Sequence, residues 1–266
     1  MKRKNENKLL AGRSIHEGEL ILVNARYPVM AANPAGKVIS LKDSGVSMER
    51  RAASVLLYIM KSIGGEGAIE PVSGYRTEGE QRQIYKDSEA DRGEVFTRKY
   101  VALPNHSEHQ TGLAIDLGLS RENIDFICPD FPYEGICQRF REEAAKYGYI
   151  QRYKEEKEEI TGISHEPWHF RYVGYPHSEI MEKKGMCLEE YIHYVRQFAF
   201  DRDHIHVEMG GQGFEIFYVK EDQAESVSLP EKEIYKVSGN NVDGFIVTLW
   251  KSAREERLYR DISIPS

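Results

Sequence analysis

The chain has no long apolar segment and few cysteines. No stretch of its 266 residues reaches the ~20 consecutive apolar residues that a membrane-spanning helix requires. Lys and Arg near the N-terminus are not followed by an apolar segment, so no secretory signal is visible. The three cysteines, Cys128, Cys137 and Cys187, are far apart and form no CxxC pair. We therefore predict a cytoplasmic protein with neither a disulfide framework nor a cysteine-rich zinc site.

An excess of positive charge is also missing. The formal net charge is −7, and Lys and Arg are not concentrated in any one segment. Because binding to a phosphate backbone needs a dense set of positive groups, we expect no nucleic-acid partner. Hydrophobic residues make up 40% and charged residues 30% of the chain, which is typical of folded soluble proteins.

Hydrophobic periodicity and turn residues divide the chain into two parts. In the first part they predict helices at residues 47–63, 78–88, 134–147, 178–184 and 188–198, and strands at residues 20–23, 68–72, 113–117 and 168–173. Residues 92–110 are polar and predict a loop. In the second part, strands are predicted at residues 204–207, 214–219, 234–237 and 245–250.

These elements predict an α+β fold with two domains. Residues 1–199 would form a core domain, in which a small antiparallel sheet is flanked by helices. Residues 200–266 would form a small, mostly-β C-terminal appendage. A chain of this length can bury one substantial core and a smaller second one.

The segment SEHQTGLAID, residues 107–116, is the first that carries chemistry. His109 lies in a predicted loop and Asp116 on the strand that follows. On that strand, Asp116 shares a face with Ala114, and the other face carries the apolar residues Leu113, Ile115 and Leu117. A carboxylate in so apolar a strand is costly to bury without a partner. A divalent metal shared with His109 would be such a partner; the alternatives are an arginine or a position at the strand end.

The segment HEPWHFRY, residues 165–172, contains the letters of the H-E-x-x-H zinc signature. That signature requires both histidines one turn apart on a helix, whereas Pro167 favours entry into a strand. We therefore predict that only His169 is a metal ligand and that His165 is a loop histidine. Glu166 could lean towards the metal, and Arg171 would share the face of His169.

A third segment, SGYR, places Arg76 at the end of a strand, just before a helix that opens with the capping box Thr77-x-x-Glu80. An arginine there can point into a cleft, although most such arginines make structural ion pairs. Two imidazoles and a carboxylate on a zinc ion leave a fourth position open for water, which becomes acidic there. Glu166 would then act as general base, and Arg76 would stabilise the oxyanion.

The segments SGYRTEGEQ, SEHQTGLAID and EPWHFRYVG resemble, in this order, the signature blocks of the VanY- and VanXY-type D,D-peptidases linked to vancomycin resistance. That family's pattern is S-G-[YF]-R followed by Gln, S-x-H-x-x-G-x-A-x-D, and E-x-W-H. The resemblance covers roughly residues 70–175. Residues 200–266 lie outside it, so it says nothing about their role.

The resemblance implies one Zn²⁺ per chain, held by His109, Asp116 and His169. It also implies that Glu166 is the base and that Arg76 is the carbonyl or carboxylate clamp. The substrate-binding residues would be Ser107, Gln81 and Tyr75.

The family implies hydrolysis of the D-Ala-D-Ala dipeptide, of the C-terminal D-Ala of peptidoglycan precursors, or of both. The substrate would be a small peptide ending in D-Ala, either the dipeptide or a muramyl pentapeptide precursor. VanY-type members usually carry a membrane anchor, and none is visible here, so the chain is most similar to the soluble, cytoplasmic VanXY type. The alternatives are a cell-wall L,D- or D,D-endopeptidase and a catalytically silent, zinc-bound peptidoglycan-binding module. The presence of both Glu166 and Arg76 favours an enzyme.

A second candidate metal face lies after residue 200. Strand alternation would align His204, His206 and Glu208 on one side. A solvent-facing edge strand is the commoner explanation of such a pattern, and we prefer it.

Overall fold

The computed structural model describes residues 10, 12–30, 37–41, 44–227 and 233–251. The chain clusters into two units. Among the described residues, one unit consists of those between 23 and 189, and the other combines those before 23 with those after 189. The fold is of the predicted α+β class, with small antiparallel sheets and helices.

The unit of residues 23–189 contains six strands and most of the helices. The strands are β1 (Val38–Ser40), β2 (Ser47–Glu49), β3 (Ile69–Ser73), β4 (Ala114–Leu119), β5 (Tyr149–Gln151) and β6 (His169–Tyr172). The helices are α1 (Arg50–Ile63), α2 (Glu78–Arg92), α3 (Glu94–Tyr100), α4 (Gly135–Ala144), α5 (Glu158–Thr161) and α6 (His177–Lys184). Helix α7 (Leu188–Val195) begins in this unit and continues beyond it.

An antiparallel four-stranded sheet in the order β3-β4-β6-β5 lies at the centre of this unit. In the β4–β6 pair, Asp116 is directly opposite His169, and in the β3–β4 pair it is opposite Ser73. Because the side chains of directly opposed residues are close neighbours, this register places the Asp116 and His169 side chains next to each other on one face of the sheet.

The other face of the sheet packs on the hydrophobic core. Ile115 of β4 and Phe170 of β6 are fully buried there against α1 and α4. Phe131, Phe140 and Phe170 meet edge to face, with ring centroids 4.9 to 6.0 Å apart, a favourable arrangement of aromatic rings. The alternation predicted for both strands is confirmed.

The capping box predicted for the second helix is also confirmed. The Thr77 hydroxyl accepts from the Glu80 N–H, and the Glu80 carboxylate accepts from the Thr77 N–H. The helix continues to Arg92, and after Gly93 a further helix, α3, follows. The prediction of a loop at residues 92–110 was therefore wrong over α3. The rings of Phe96 and Tyr100, four residues apart on α3, are in contact with their centroids 4.8 Å apart, and a spacing of four residues marks one face of a helix.

Two other predictions of secondary structure were wrong. Residues 47–49 form strand β2, paired with β1, instead of the first turn of α1. The Glu49 side chain accepts from the N–H groups of Arg51 and Ala52 and so caps the helix one turn later than expected. Residues 20–23 are buried but not a strand, since the Leu20 N–H donates to the Ser238 hydroxyl rather than to a strand partner.

The second unit is built on an antiparallel sheet in the order β7-β8-β10-β9. Its strands are β7 (Ile205–Met209), β8 (Gln212–Lys220), β9 (Ile234–Gly239) and β10 (Gly244–Lys251). All four strands predicted after residue 200 are confirmed, and β9 and β10 are joined by a tight turn at residues 240–243.

The division differs from the predicted one, 1–199 and 200–266, in two respects. It falls near residue 190, and residues 10 and 12–22 belong with the C-terminal sheet. The Gly239 N–H donates to the Glu17 carbonyl and the Asn241 N–H to the Ile15 carbonyl. Leu10 and Ile15 pack in the same core as Phe217. Local patterns in the sequence carry no signal for contacts between the two ends of a chain.

The helices are short, and several are strongly polar. The longest, α2, has 15 residues, many of them charged. Within the part of the chain that the structure describes, no helix combines the length and apolarity that crossing a bilayer requires.

Phe170→Ala tests the packing of the central sheet. Removing this ring should leave a cavity among Phe131 and Phe140 and lower the free energy of unfolding by about 3–5 kcal/mol, as measured by denaturant unfolding. Leu57, 46% exposed on α1, supplies the control, and Leu57→Ala should change stability by no more than about 0.5 kcal/mol. A loss below about 1 kcal/mol in Phe170→Ala would contradict the described packing.

Candidate active site

The three side chains predicted as metal ligands lie together. His109 comes from the turn at residues 108–111, Asp116 from β4 and His169 from the start of β6. One ligand atom from each lies within 4.8 Å of the other two, and all three residues are buried. Gly112 ends the turn with φ +73°, and a Cβ there would meet the Glu49 nitrogen at 3.1 Å. A glycine is therefore needed to return the chain from His109 into β4.

Hydrogen bonding fixes the tautomer of His109. Its Nδ1 lies 2.7 Å from the Gly74 carbonyl oxygen, which can only accept, so Nδ1 carries the proton. Its Nε2 faces Asp116 Oδ2 at 3.1 Å. Burial lowers the pKa of His109 to about 4, so the ring is neutral near pH 7. A neutral imidazole with a bare Nε2 is the form that binds metals.

His169 is oriented by two carboxylates. Its Nδ1 lies 2.8 Å from Asp116 Oδ1, and its Nε2 lies 3.3 Å from Glu108 Oε2. Burial alone would lower the pKa of His169, but the hydrogen bonds to Asp116 and Glu108 raise it to about 9. The metal-free ring is thus an imidazolium whose Nδ1 faces the other two candidate ligands.

Asp116 lies between the two rings and also meets an arginine. Its Oδ2 contacts Arg76 Nη2 at 3.3 Å in addition to His109. Burial alone would raise the pKa of Asp116, but the His109 and His169 imidazoles hold it well below its usual range. The carboxylate is therefore ionised. The arginine partner considered as an alternative to a metal is present, and it lies beside the two histidines.

Glu166 lies next to this cluster. Its Oε2 is 3.7 Å from His169 Nδ1, and the residue is only 5% exposed. Its backbone N–H donates to the Tyr153 carbonyl, which holds the segment before Pro167 against the site. Burial raises the pKa of Glu166 to about 8. A carboxyl group with such a pKa can exchange a proton near neutral pH.

Arg76 is held in place by Gln81. Arg76 Nη1 donates to Gln81 Oε1 at 3.0 Å, and Gln81 Nε2 donates to the Ala102 carbonyl at 2.8 Å. Arg76 Nε is buried and has no hydrogen-bond partner among the described residues. Gln81 therefore orients the guanidinium, and Arg76 keeps a donor for another group.

A cavity opens onto the cluster. Its polar lining residues include Arg76, Glu166 and the three candidate ligands, together with Ser107 and Gln81. Its apolar and aromatic lining residues include Tyr100, Phe126, Ile127, Ile163 and Trp168. Ser107 and Gln81 therefore lie where a substrate-binding role was predicted. Tyr75 does not line this cavity; its backbone N–H donates to the Ser47 carbonyl.

The remaining histidines singled out in the sequence lie elsewhere. His165 Nε2 is 2.6 Å from the Tyr133 hydroxyl, and the ring lies in a loop, as predicted. His204 Nδ1 contacts Glu215 Oε1 at 2.5 Å. Within residues 10–251 as far as they are described, the His109–Asp116–His169 group is the one cluster of this kind. The face of His204, His206 and Glu208 is therefore no second metal cluster.

The sequence-based predictions did not include Glu108. Its side chain is completely buried and contacts Arg152, Arg171 and His169. The available signal was that Glu108, a charged residue, stands directly before the predicted ligand His109. Its partners are 44 to 63 residues away, so no local pattern revealed them.

Comparisons with known proteins agree with this geometry. Residues 45–175 match the family described as VanY, D-alanyl-D-alanine carboxypeptidase. Over 187 residues the chain is 43% identical to the bifunctional D-Ala-D-Ala dipeptidase and D-Ala-D-Ala carboxypeptidase VanXYC of Enterococcus gallinarum. The alignment covers 68% of this chain and 98% of that relative.

Two solved structures share the fold. The D,D-dipeptidase VanXYg, solved with a D-Ala-D-Ala phosphinate analog, is 51% identical, with a TM-score of 0.84 over 89% of this chain and 95% of that one. A mutant of the D,D-pentapeptidase VanY from a VanB-type resistance cassette, solved in complex with Zn(II), is 30% identical. Its TM-score is 0.55 over 65% of this chain and 98% of that one. The chain therefore belongs to the VanY family, and it is a peptidase.

Proposed function

We propose that the chain is a zinc-dependent D,D-peptidase that hydrolyses D-Ala-D-Ala, removes the C-terminal D-Ala of peptidoglycan precursors, or does both. One observation carries the proposal. His109, Asp116 and His169 converge with Glu166 beside them in a cavity that also contains Arg76. The names of the relatives support the same substrate class, since VanXYC is called a dipeptidase and carboxypeptidase for D-Ala-D-Ala.

The donor set suits a single zinc ion per chain. Two imidazole nitrogens and one carboxylate are the usual protein ligands of a catalytic zinc site that keeps an open position. Zinc-to-ligand distances near 2.0–2.1 Å place tetrahedral ligand atoms roughly 3.3 Å apart. Asp116 Oδ2 lies 3.1 Å from His109 Nε2, and the other oxygen, Oδ1, lies 2.8 Å from His169 Nδ1. One ligand atom from each of the three residues lies within 4.8 Å of the others, so the three side chains are near enough to be drawn together round one ion.

Glu166 is suited to move the proton that hydrolysis requires. A zinc ion at this site would supply an acidic water and polarise the scissile carbonyl. The Glu166 carboxylate would accept the proton of the attacking water and later deliver it to the leaving amine. A cation beside Glu166 favours its ionised form, which is the form a base needs.

Arg76 would stabilise the negative charge that develops on the carbonyl oxygen. Its guanidinium lies at the wall of the cavity and is fixed by Gln81. A donor aimed in advance at a developing oxyanion loses nothing to reorganisation during the reaction. A catalytically silent binding module has no need of this arrangement of base and donor, which agrees with the chain being a peptidase.

The shape of the cavity is consistent with a small peptide. The lining combines charged groups with the aromatic rings of Tyr100, Phe126 and Trp168, which suit methyl side chains. VanXYg, the relative with a TM-score of 0.84, was solved with a D-Ala-D-Ala phosphinate analog. The contribution to vancomycin resistance and the cytoplasmic location stay predictions from the sequence.

Glu166→Gln tests the assigned base. The variant should bind zinc like the wild type but lose roughly 10²–10⁴-fold in kcat, because the amide cannot accept the proton. Hydrolysis of D-Ala-D-Ala and metal content are measured together. Glu159→Gln, which removes an exposed carboxylate on α5, should leave both unchanged. Normal turnover in Glu166→Gln would refute the assignment.

Zinc affinity should depend on pH through His169. The pKa of the metal-free imidazolium is raised to about 9, and a metal that takes Nδ1 must displace that proton. Below pH 9, each lower unit should therefore weaken the apparent affinity by about tenfold or more, and at least one proton should be released on binding, since a cation also favours ionisation of Glu166. Competition with a chromophoric chelator at about pH 7 and about pH 8 measures this. An affinity independent of pH over that interval would contradict it.

Two substrates distinguish the activities within the proposed class. The wild-type protein should hydrolyse D-Ala-D-Ala, a UDP-linked muramyl pentapeptide, or both, and a strong chelator should abolish the activity until zinc is restored. Release of D-Ala is the readout. Cleavage of cell-wall bridges without D-Ala release would favour an endopeptidase, and zinc binding without any hydrolysis would favour a binding module.

A further inference from the structure

Glu108 lies behind the candidate metal centre, and the proposed mechanism does not use it. Its Oε1 accepts from Arg152 Nε at 3.1 Å and from Arg171 Nη1 at 3.0 Å. Its Oε2 lies 3.3 Å from His169 Nε2, the ring nitrogen that points away from Asp116. The carboxylate is thus held by two arginines on one oxygen and faces a candidate ligand with the other.

The surrounding charges keep Glu108 ionised and immobile. Burial alone would raise the pKa of Glu108, but the Arg152 and Arg171 guanidinium groups hold it well below its usual range. Arg152 is itself fixed, because it donates to both oxygens of Glu189 at 2.6 and 2.7 Å. Two arginines and two glutamates therefore form a balanced, buried network, in which Glu108 has a single orientation.

The ring of His169 needs such a partner. Only one nitrogen of a neutral imidazole can bind a metal, and the other must carry the proton. His109 meets this condition by donating from Nδ1 to the Gly74 carbonyl. For His169, Nδ1 is the nitrogen that faces Asp116 and Glu166. If Nδ1 binds the metal, the proton of the neutral ring must lie on Nε2, opposite Glu108.

We propose that Glu108 is a positioning residue of the metal centre: its Oε2 accepts the Nε2 proton of His169 and keeps Nδ1 bare and directed at the ion. The inference rests on the proposed function, since it needs a metal at His109, Asp116 and His169. Hydrogen-bonded carboxylates behind a ligating histidine fix its tautomer and make it a stronger ligand. The effect of Glu108 on hydrolysis is therefore exerted through His169.

Glu108→Gln should favour the opposite tautomer of His169, with the proton on Nδ1. Arg152 and Arg171 both donate to the Oε1 position, so the amide oxygen must remain there and the amide NH₂ must face His169 Nε2. A donor at that place favours the tautomer with its proton on Nδ1, which blocks the ligand atom. We expect zinc affinity to fall by roughly 10–100-fold, measured by chelator competition. The visible absorption of the Co²⁺-loaded protein should also change, because the ligand field reports on the His169 bond.

Glu189→Gln is the matched control. It removes a negative charge from the same buried network and the same arginine, Arg152, but Glu189 has no contact with His169 among the described hydrogen bonds. Its thermal stability should fall by an amount similar to that of Glu108→Gln, while its zinc affinity and Co²⁺ spectrum stay those of the wild type. Equal losses of zinc affinity in the two variants would show that the network is merely structural and would overturn the proposal.

A second variant covers the case in which Glu108→Gln does not fold. Glu108→Asp keeps the charge that the two arginines need, but its carboxylate is one methylene shorter and, held by Arg152 and Arg171, no longer reaches His169 Nε2. Weakened zinc binding in a folded Glu108→Asp protein supports the proposal. Wild-type affinity and an unchanged Co²⁺ spectrum in either folded variant overturn it.

Zinc binding and D-Ala release by the wild-type protein distinguish a failure of this inference from a failure of the proposed function. If the wild type binds no zinc, the proposed function fails, and the role of Glu108 fails with it. If the wild type binds zinc and releases D-Ala while Glu108→Gln binds zinc equally well, only the role of Glu108 is refuted.

Discussion

The rest of the site depends on the pairing of β4 with β6. That pairing sets Asp116 opposite His169, and Asp116 then reaches His109 with its second oxygen. Because side chains alternate along a strand, a shift of one residue would turn Asp116 into the hydrophobic core and Ile115 into the cavity. The cost of burying the carboxylate there would be large. The packing of Ile115 and Phe170 on the far side of the sheet therefore specifies the geometry of the site.

Charge balance explains why so many ionisable groups can be buried together. On the cavity side, Asp116 is matched by Arg76 and by the imidazolium of His169. Behind it, Glu108 is matched by Arg152 and Arg171. Buried charges stabilise a fold only when each has a partner in good geometry. In the proposed holo state, a dication would replace the proton of His169, so the site gains positive charge next to the carboxyl groups of Asp116 and Glu166.

The sequence predicted more of the site than of its surroundings. The strands bearing Asp116 and His169, and the capping box at Thr77, follow from local patterns and are present. Helix α3 was missed because its polar sequence resembles a loop, and its stability comes from contacts such as the buried hydrogen bond between Ser88 and Thr97. The ion pairs of Glu108 and the contacts of residues 12–22 with the C-terminal sheet depend on pairs distant in sequence. Such pairs are specified by the complete fold and leave no local periodicity.

The backbone conformation of the segment HEPWH decides which of its histidines can bind a common metal. On a helix, residues four apart lie on one face about 5–6 Å apart and can bind one ion. On a strand, residues four apart also share a face but are separated by ~13 Å, too far for a common metal. Here β6 begins only at His169, which pairs with Asp116, and a turn at residues 167–168 precedes it. The segment is therefore no helix, and His165 instead contacts Tyr133. The further ligands for His169 must therefore come from β4 and from the turn before it, where Asp116 and His109 lie.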